Sequence, residues 1–397
     1  MKPLRVLTCT PVAFRGDHTF FARESGLLSR GLRMAGVDSF AVMPLPAQDG
    51  DEEDLIRAPV EQLQDASWWR SHSADAVVFY SWAMPEYAPV SRAIKASGAK
   101  LLLYLDASGL WNPWSDGKDW FRAYWIFNTR THGRLWGPTR FLLGALRQSI
   151  PATLAKPRLE HMALADVIGT GSPGALARTK RYAETFGFGH ITDRMVLSPP
   201  PIPVHFRYES EEKKKRVICV ARWLKLDRAQ KNPAMLLASL VLFLSRRPDY
   251  EAVVVGRGAN DLRRTKFYPA ELKGLSVRFI EAIPNTELTT LYKESRISFC
   301  SSYHESFHLA SFEAACCGCS IVALDSPDLP ALQWLAASDG TLAHEAKPES
   351  FATALLAEAA KWENGHRSAK DISHRWSSEL HADKAAARVL RQLALAH

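Results

Sequence analysis

Short runs of β-branched and aromatic residues recur along this chain, separated by stretches whose apolar positions return every three or four residues. The first set is RVLTCT (5–10), SFAVMPL (39–45), AVVFY (76–80), KLLLYLD (100–106), DVIGTGS (166–172) and MVLSPP (195–200). The second set is RVICVAR (216–222), EAVVVGRG (251–258), VRFIEA (277–282), ISFCSSY (297–303), CSIVALD (319–325) and GTLAH (340–344). Continuous rather than alternating apolar residues mark strands buried on both faces. Between them lie helical stripes such as Leu236, Leu237, Leu240, Val241 and Leu244. Strands alternating with helices predict parallel sheets covered on both sides.

Twelve strands exceed one tidy sheet, and the chain divides at SPPPIPVHFRYESEEKKK (198–215), where four prolines precede a charge run. That composition reads as a linker. The expected fold is therefore α/β, with two doubly wound, Rossmann-like domains facing across a cleft. The N-terminal domain takes 1–205, the C-terminal domain takes 206–377, and 378–397 forms a C-terminal helix. The last segment is amphipathic through Leu380, Ala386, Leu390 and Leu393, and can pack on either domain, including back on the first.

Composition narrows the class. Of 397 residues, 47% are hydrophobic and 23% charged, which suits a globular protein and not a disordered one. The run 234–244 is far short of the ~20 residues a membrane span needs. The apolar stretch near the N-terminus meets Pro11 and Arg15, too soon for a signal peptide. Cys9, Cys219, Cys300, Cys316, Cys317 and Cys319 lack paired zinc-ligand spacing, so free thiols in a reducing, cytoplasmic setting are expected. A net charge of +8 admits nucleic acid, a membrane surface or a phosphorylated small molecule as partner. No nucleic-acid-binding pattern supports the first.

Candidate chemistry gathers after the strands of the second half, where ligands of open α/β sheets bind. Arg222 and Lys231 lie in VARWLKLDRAQKN, and a guanidinium with an ammonium suits a diphosphate. Gly256-Arg257-Gly258 follows the next strand, and Pro284-Asn285 starts a helix after the third. Glu305 and Glu313 follow the fourth, in SSYHESFHLASFEAACCG. A helix beginning near Ser306 would supply an anion site. Eight helical residues rise about 12 Å, too far for the ~5 Å carboxylate pair of a retaining glycosidase. The two glutamates are better placed to hold the two ends of one long ligand, a sugar and a ribose.

The motifs VARW…KNP, VVVGRG, VRFIEAIPNTELTTLY and CSSYHESFHLASFEAACCGCSIVALD resemble, in order, those of the retaining glycosyltransferases of family 4, which have the GT-B fold. The resemblance is specific over about 216–326 and looser elsewhere. It implies transfer of a sugar from a nucleotide diphosphate donor to an acceptor hydroxyl on a glycan, lipid or small molecule, with no cofactor and no metal. Arg222 and Lys231 would contact the diphosphate. Glu305, with the amides of Ser306, Phe307, His308 and Leu309, would hold the sugar. Glu313 would reach the ribose, and Gly256 with the backbone near Ile283 would line the nucleoside pocket. Gly16, in the first N-terminal loop, would join the donor site.

The chain also departs from that pattern. Lys231 comes nine residues after Arg222 where the family has about five, so Lys225 rivals it. His308 stands where a glycine is usual, Leu105-Asp106 where many members have a histidine, and Gly16 is single rather than paired. Two readings stay open for several positions. His18 and His308 each belong to the site or are filler; Asp106 serves the acceptor or caps a helix; Gly256 and Gly258 serve the ligand or close a turn. A sugar-nucleotide epimerase, a phosphorylase-like enzyme and a non-catalytic sugar-binding protein are the alternative functions.

Eight of the twelve tryptophans fall between 68 and 136. In the stretch 111–147, Lys118, Arg122, Arg130, Arg134, Arg140 and Arg147 outnumber Asp116 and Asp119. Rings with arginines suit an acceptor wall, carrying Trp111 and Trp114, or a peripheral membrane contact. An ordinary core with exposed arginines is the plain alternative.

Overall fold

The computed structural model describes residues 4–150 and 153–395; the Arg134 side chain and the end of the expected C-terminal segment, 396–397, lie outside the described set. The chain forms two compact units. The first comprises Met1–Arg122, Leu142–Val204 and Glu379–His397, and the second Ala123–Phe141 and His205–Ser378.

Among the described residues the first unit holds seven strands: β1 (Arg5–Cys9), β2 (Asp38–Pro44), β3 (Leu55–Ala58), β4 (Ala76–Tyr80), β5 (Lys100–Leu105), β6 (Val167–Thr170) and β7 (Met195–Leu197). Their order is β3-β2-β1-β4-β5-β6-β7, and every pairing is parallel. Successive residues of one strand feed opposite faces. Leu7, Val77, Leu101 and Leu103 pack on one side with Trp69 and Tyr182, whereas Val6, Val78, Leu102 and Tyr104 pack on the other with Leu28 and Leu32. That double burial is why these runs show no polar alternation.

Strand β3 was not expected. It carries Arg57 and lies at the sheet edge, where one face needs no apolar partner. The C-terminal helix Ala382–Gln392 lies in this unit, with Ala385, Ala386 and Val389 in the same cluster as Leu28 and Leu32.

The second unit has six strands: β8 (Lys214–Val220), β9 (Glu251–Val255), β10 (Val277–Ile280), β11 (Ser295–Phe299), β12 (Ser320–Leu324) and β13 (Gly340–Ala343). The order β10-β9-β8-β11-β12-β13 is again all parallel. All six cysteines are free and buried. Buried Lys213 donates to the carbonyls of Tyr292 and Cys317, which ties the CCGC segment to the helix Asn285–Glu294 through a charged bond.

The aromatic, basic stretch forms one 37-residue helical segment, Pro113–Ser149. Held straight, it would be about 55 Å long, but it folds back on itself. Asn112 Nδ2 donates to the Gln148 carbonyl at 2.6 Å and Trp114 Nε1 to that of Ser149 at 2.9 Å. Further along, the rings of Trp125 and Phe141 meet edge-on, centroids 5.2 Å apart. Gly133 makes the reversal with φ +77°, a conformation that a side chain disfavours.

The stretch does not belong wholly to the N-terminal domain, as the sequence suggested. Residues 123–141 cluster with the second unit, because Arg130 sits 3.8 Å over the Tyr303 ring and Phe127 meets His304 edge-on. Among the described residues, no helix is long and apolar enough to cross a membrane.

Candidate functional site

In the second sheet the strand order reverses between β8 and β11. At such a switch point the loops beyond the strand ends part and leave a crevice where ligands bind. The β8 loop carries Arg222 and Lys231, and the β11 loop carries Glu305.

The two loops are joined by polar bonds. Lys231 Nζ lies 2.5 Å from Glu305 Oε1. Gln230 Nε2 donates to the other oxygen, Oε2, at 3.1 Å and to the His304 carbonyl at 3.0 Å. The Tyr303 amide donates to the Gln230 carbonyl, and Ser301 Oγ to that of Lys231. Lys231 closes a short helical turn, Arg228–Lys231, and the following helix starts at Pro233 rather than at Lys231. Asn232 bridges the two with φ +52°, so the lysine is held by a bend in the backbone rather than by a helix face.

Glu305 and Lys231 are both buried, each about 8% exposed. Burial would raise the Glu305 carboxyl, but His308 and Lys231 hold it below the usual carboxylate range. Burial likewise disfavours charged His308, and Cys300 and Glu305 outweigh it and raise the imidazole. His308 Nδ1 also meets Ser311 Oγ at 2.7 Å. The histidine in place of the usual glycine therefore adds, as well as bulk, an imidazole whose charged form is favoured beside Glu305.

The helix expected near Ser306 begins later, at Leu309, and runs to Cys316. Phe307 is buried and stacked on Phe312 at 4.1 Å, and the Leu309 amide donates to the Phe307 carbonyl. Ser306, Phe307 and His308 thus form a packed loop. Glu305 and Glu313 are not on one continuous helix, and the 12 Å rise computed for one does not apply. Glu313 is partly buried, with the Tyr292 hydroxyl 3.5 Å from Oε2. Tyr292 comes from another helix and escaped the sequence reading.

Arg222 differs from Lys231 in exposure. Its side chain is 65% exposed and pairs with Asp227 at 3.2 Å; Lys225 is exposed too. Gly256 has φ +128°, and a Cβ there would lie 1.9 Å from the Ala221 carbonyl oxygen. Its loop is tied to both neighbours. The Trp223 amide donates to the Arg257 carbonyl, and the exposed Glu281 carboxylate accepts from the amides of Gly258 and Asn260. The glycine thus closes a tight turn at the crevice. Ile283, partly buried, precedes the helix Asn285–Glu294.

The remaining sequence candidates lie in the first unit. Gly16 is buried, and its N–H donates to Asp51 Oδ1 at 3.0 Å. Arg57 grips the same carboxylate, so that amide already serves the fold. His18 is exposed. Trp111 is a core residue, not an exposed wall: it is 8% exposed, stacks on Tyr182 and donates to Thr179 Oγ1 at 2.9 Å. Trp114 is 63% exposed.

Asp106 follows β5, and the electrostatic field joins it to a residue the sequence reading missed. Burial raises the Glu24 carboxyl, and the Asp106 charge raises it further, to about 7. Glu24 opens the helix Glu24–Met34 with φ +44°. This sheet's own switch point lies between β1 and β4. The loop after β4 holds Trp82 and Ala83 at φ +51° and +50°, beside a buried Ser81 hydroxyl with no hydrogen-bond partner among the described residues. Non-glycine residues held this way store strain, which collects at functional sites.

Two Rossmann-like parallel sheets with their helices define the GT-B fold. Residues 203–371 match the family model for glycosyl transferases group 1. Two curated relatives are D-inositol 3-phosphate glycosyltransferases. That of Corynebacterium jeikeium (strain K411) is 37% identical over 108 residues, which is 25% of this chain and 26% of that protein. That of Corynebacterium kroppenstedtii is 32% identical over 139 residues, 32% of this chain and 29% of that protein. The chain thus spans well under a third of either relative's length in these matches. Among solved structures, Anabaena HepE in complex with UDP aligns with a TM-score of 0.64 at 11% identity, covering 98% of this chain and all of that one.

Proposed function

We propose that this chain is a glycosyltransferase that moves a sugar from a nucleotide diphosphate donor to an acceptor hydroxyl, with retention at the anomeric carbon. The observation that carries this reading is the Lys231–Glu305 pair at the switch point of the unit that matches glycosyl transferases group 1. Exposed Arg222 meets the diphosphate, and Lys231 supports it from below. As the bond from the anomeric carbon to the diphosphate oxygen breaks, negative charge grows on the leaving group. Preorganised cations are worth most at that moment. Glu305 accepts from sugar hydroxyls, and Glu313 from the ribose. The Gly256 loop and the backbone near Ile283 line the nucleoside pocket. The acceptor oxygen forms the new bond to the anomeric carbon and gives its proton to the departing diphosphate oxygen. No metal is needed for this division of charge.

The HepE structure with UDP supports a uridine donor, and the curated relatives make D-inositol 3-phosphate one acceptor to test. An epimerase would need the donor alone. The test is release of nucleoside diphosphate from a panel of UDP-, GDP- and ADP-sugars, with and without acceptors. Release that depends on an acceptor and yields a glycosylated product supports transfer. Isomerised donor without any glycosylated product overturns it.

A further inference from the structure

The helical hairpin Pro113–Ser149 carries large apolar side chains that are exposed. On the arm after Gly133, Leu142, Leu143 and Leu146 are exposed by 61%, 64% and 67%. They recur at positions i, i+1 and i+4, which places them on one side of a helix. Ile150 continues the stripe past the end of the arm, and Trp114 lies beside it through its bond to Ser149. Nearer the turn, the same arm exposes Leu135 and Trp136. So many large apolar side chains in one stripe are unusual for a surface that faces only water.

Charge decides what covers it. From Trp120 to Ile150 the sequence has five arginines and no aspartate or glutamate. Arg140 and Arg147 flank the leucines on this arm and are exposed, as are Lys118 and Arg122 on the other. A second copy of the chain, meeting this face with its own in a two-fold dimer, would set arginines against arginines. The complementary surface is apolar in its interior and anionic at its boundary.

We infer that this arm lies on the surface of an anionic lipid bilayer, with Leu142, Leu143, Leu146 and Trp114 in the headgroup–acyl boundary and the arginines on lipid phosphates. Exposed leucines and tryptophan with flanking arginines are the composition of interfacial helices. The inference concerns a binding surface and does not depend on the reaction proposed above.

The test is flotation of the purified full chain with vesicles of phosphatidylcholine alone or with about one-quarter phosphatidylglycerol. Partitioning should be at least ~10-fold stronger onto the anionic vesicles. The double variant Leu142→Glu/Leu146→Glu should lower it ~10-fold or more, while Tm and nucleoside diphosphate binding stay unchanged because both residues are exposed. The charge variant Arg140→Gln/Arg147→Gln should lower binding to anionic vesicles only. Absence of binding to anionic vesicles at low salt overturns the inference. So does equal binding to neutral vesicles, or a dimer dissociated by Leu142→Glu/Leu146→Glu in a protein that ignores lipid.

Discussion

Lys231 Nζ and Glu305 Oε1 lie 2.5 Å apart, both buried, and they join the loops of the two strands that flank the switch point of the second sheet. Removing one partner of a buried pair leaves an uncompensated charge, at a cost of about 3–5 kcal/mol. Lys231→Ala should therefore lower stability by that order and turnover by ~10²-fold or more. The double variant Lys231→Met/Glu305→Gln, which removes both charges, should be more stable than Lys231→Ala in chemical denaturation, yet as inactive. Equal destabilisation of the two would show that the pair is not coupled.

Arg222 reaches solvent and Lys225 is its rival neighbour. Arg222→Ala should lower kcat by ~10²-fold with little change in Tm, because the side chain is exposed and its proposed role is to meet the diphosphate. Lys225→Ala should leave kcat within about 3-fold. Strong loss in Lys225→Ala, with near-normal turnover in Lys231→Ala, would transfer the diphosphate role to Lys225.

Glu24 gives a pH signature. Its folded pKa of about 7 lies above the ordinary 4.5. Between those values the folded protein keeps a proton that the unfolded chain has released. The contribution to stability is complete below about pH 4.5 and is lost as pH rises through 7. Glu24→Gln is neutral at every pH, so it should match wild type at pH 4.5 and exceed it by about 1–2 kcal/mol at pH 8, after allowance for partial exposure. Urea denaturation at the two pH values measures the difference; an equal difference at both would show that burial and Asp106 do not raise the Glu24 carboxyl.

The strands with double-sided burial were legible because a central parallel strand needs apolar residues on both faces, as Leu7 and Val6 show. Edge strand β3 was not, since Arg57 can sit in it and bind Asp51. Lys231, Glu305 and Arg222 stood out as charges after buried strands. The helix start was misplaced because Ser306 looks like a cap, whereas the stacking of Phe307 on Phe312 holds the loop open until Leu309. Trp111 and Trp114 look alike in sequence. Only the partners Thr179 and Tyr182, more than sixty residues away, make the first a core residue. Glu24 was missed for the same reason: what shifts it is its burial in the fold and then Asp106, on another strand's end.

Metal dependence offers a separate check. If Arg222 and Lys231 neutralise the leaving diphosphate, as proposed, turnover should survive excess EDTA. Loss with EDTA and recovery with Mg²⁺ or Mn²⁺ would mean that a cation carries the leaving-group charge instead.

The central claim is that the switch point of the second unit binds a nucleoside diphosphate. Thermal unfolding with UDP, GDP and ADP tests it without knowledge of sugar or acceptor. A ligand at one hundred times its Kd stabilises the native state by about 2.7 kcal/mol. At least one of the three should raise Tm by about 2 °C or more, and Arg222→Ala should reduce that shift while its own unliganded Tm stays near wild type. If none of the three raises Tm at millimolar concentration, or if the shift is the same in Arg222→Ala and Glu313→Ala as in wild type, the nucleotide does not bind there and the account is contradicted.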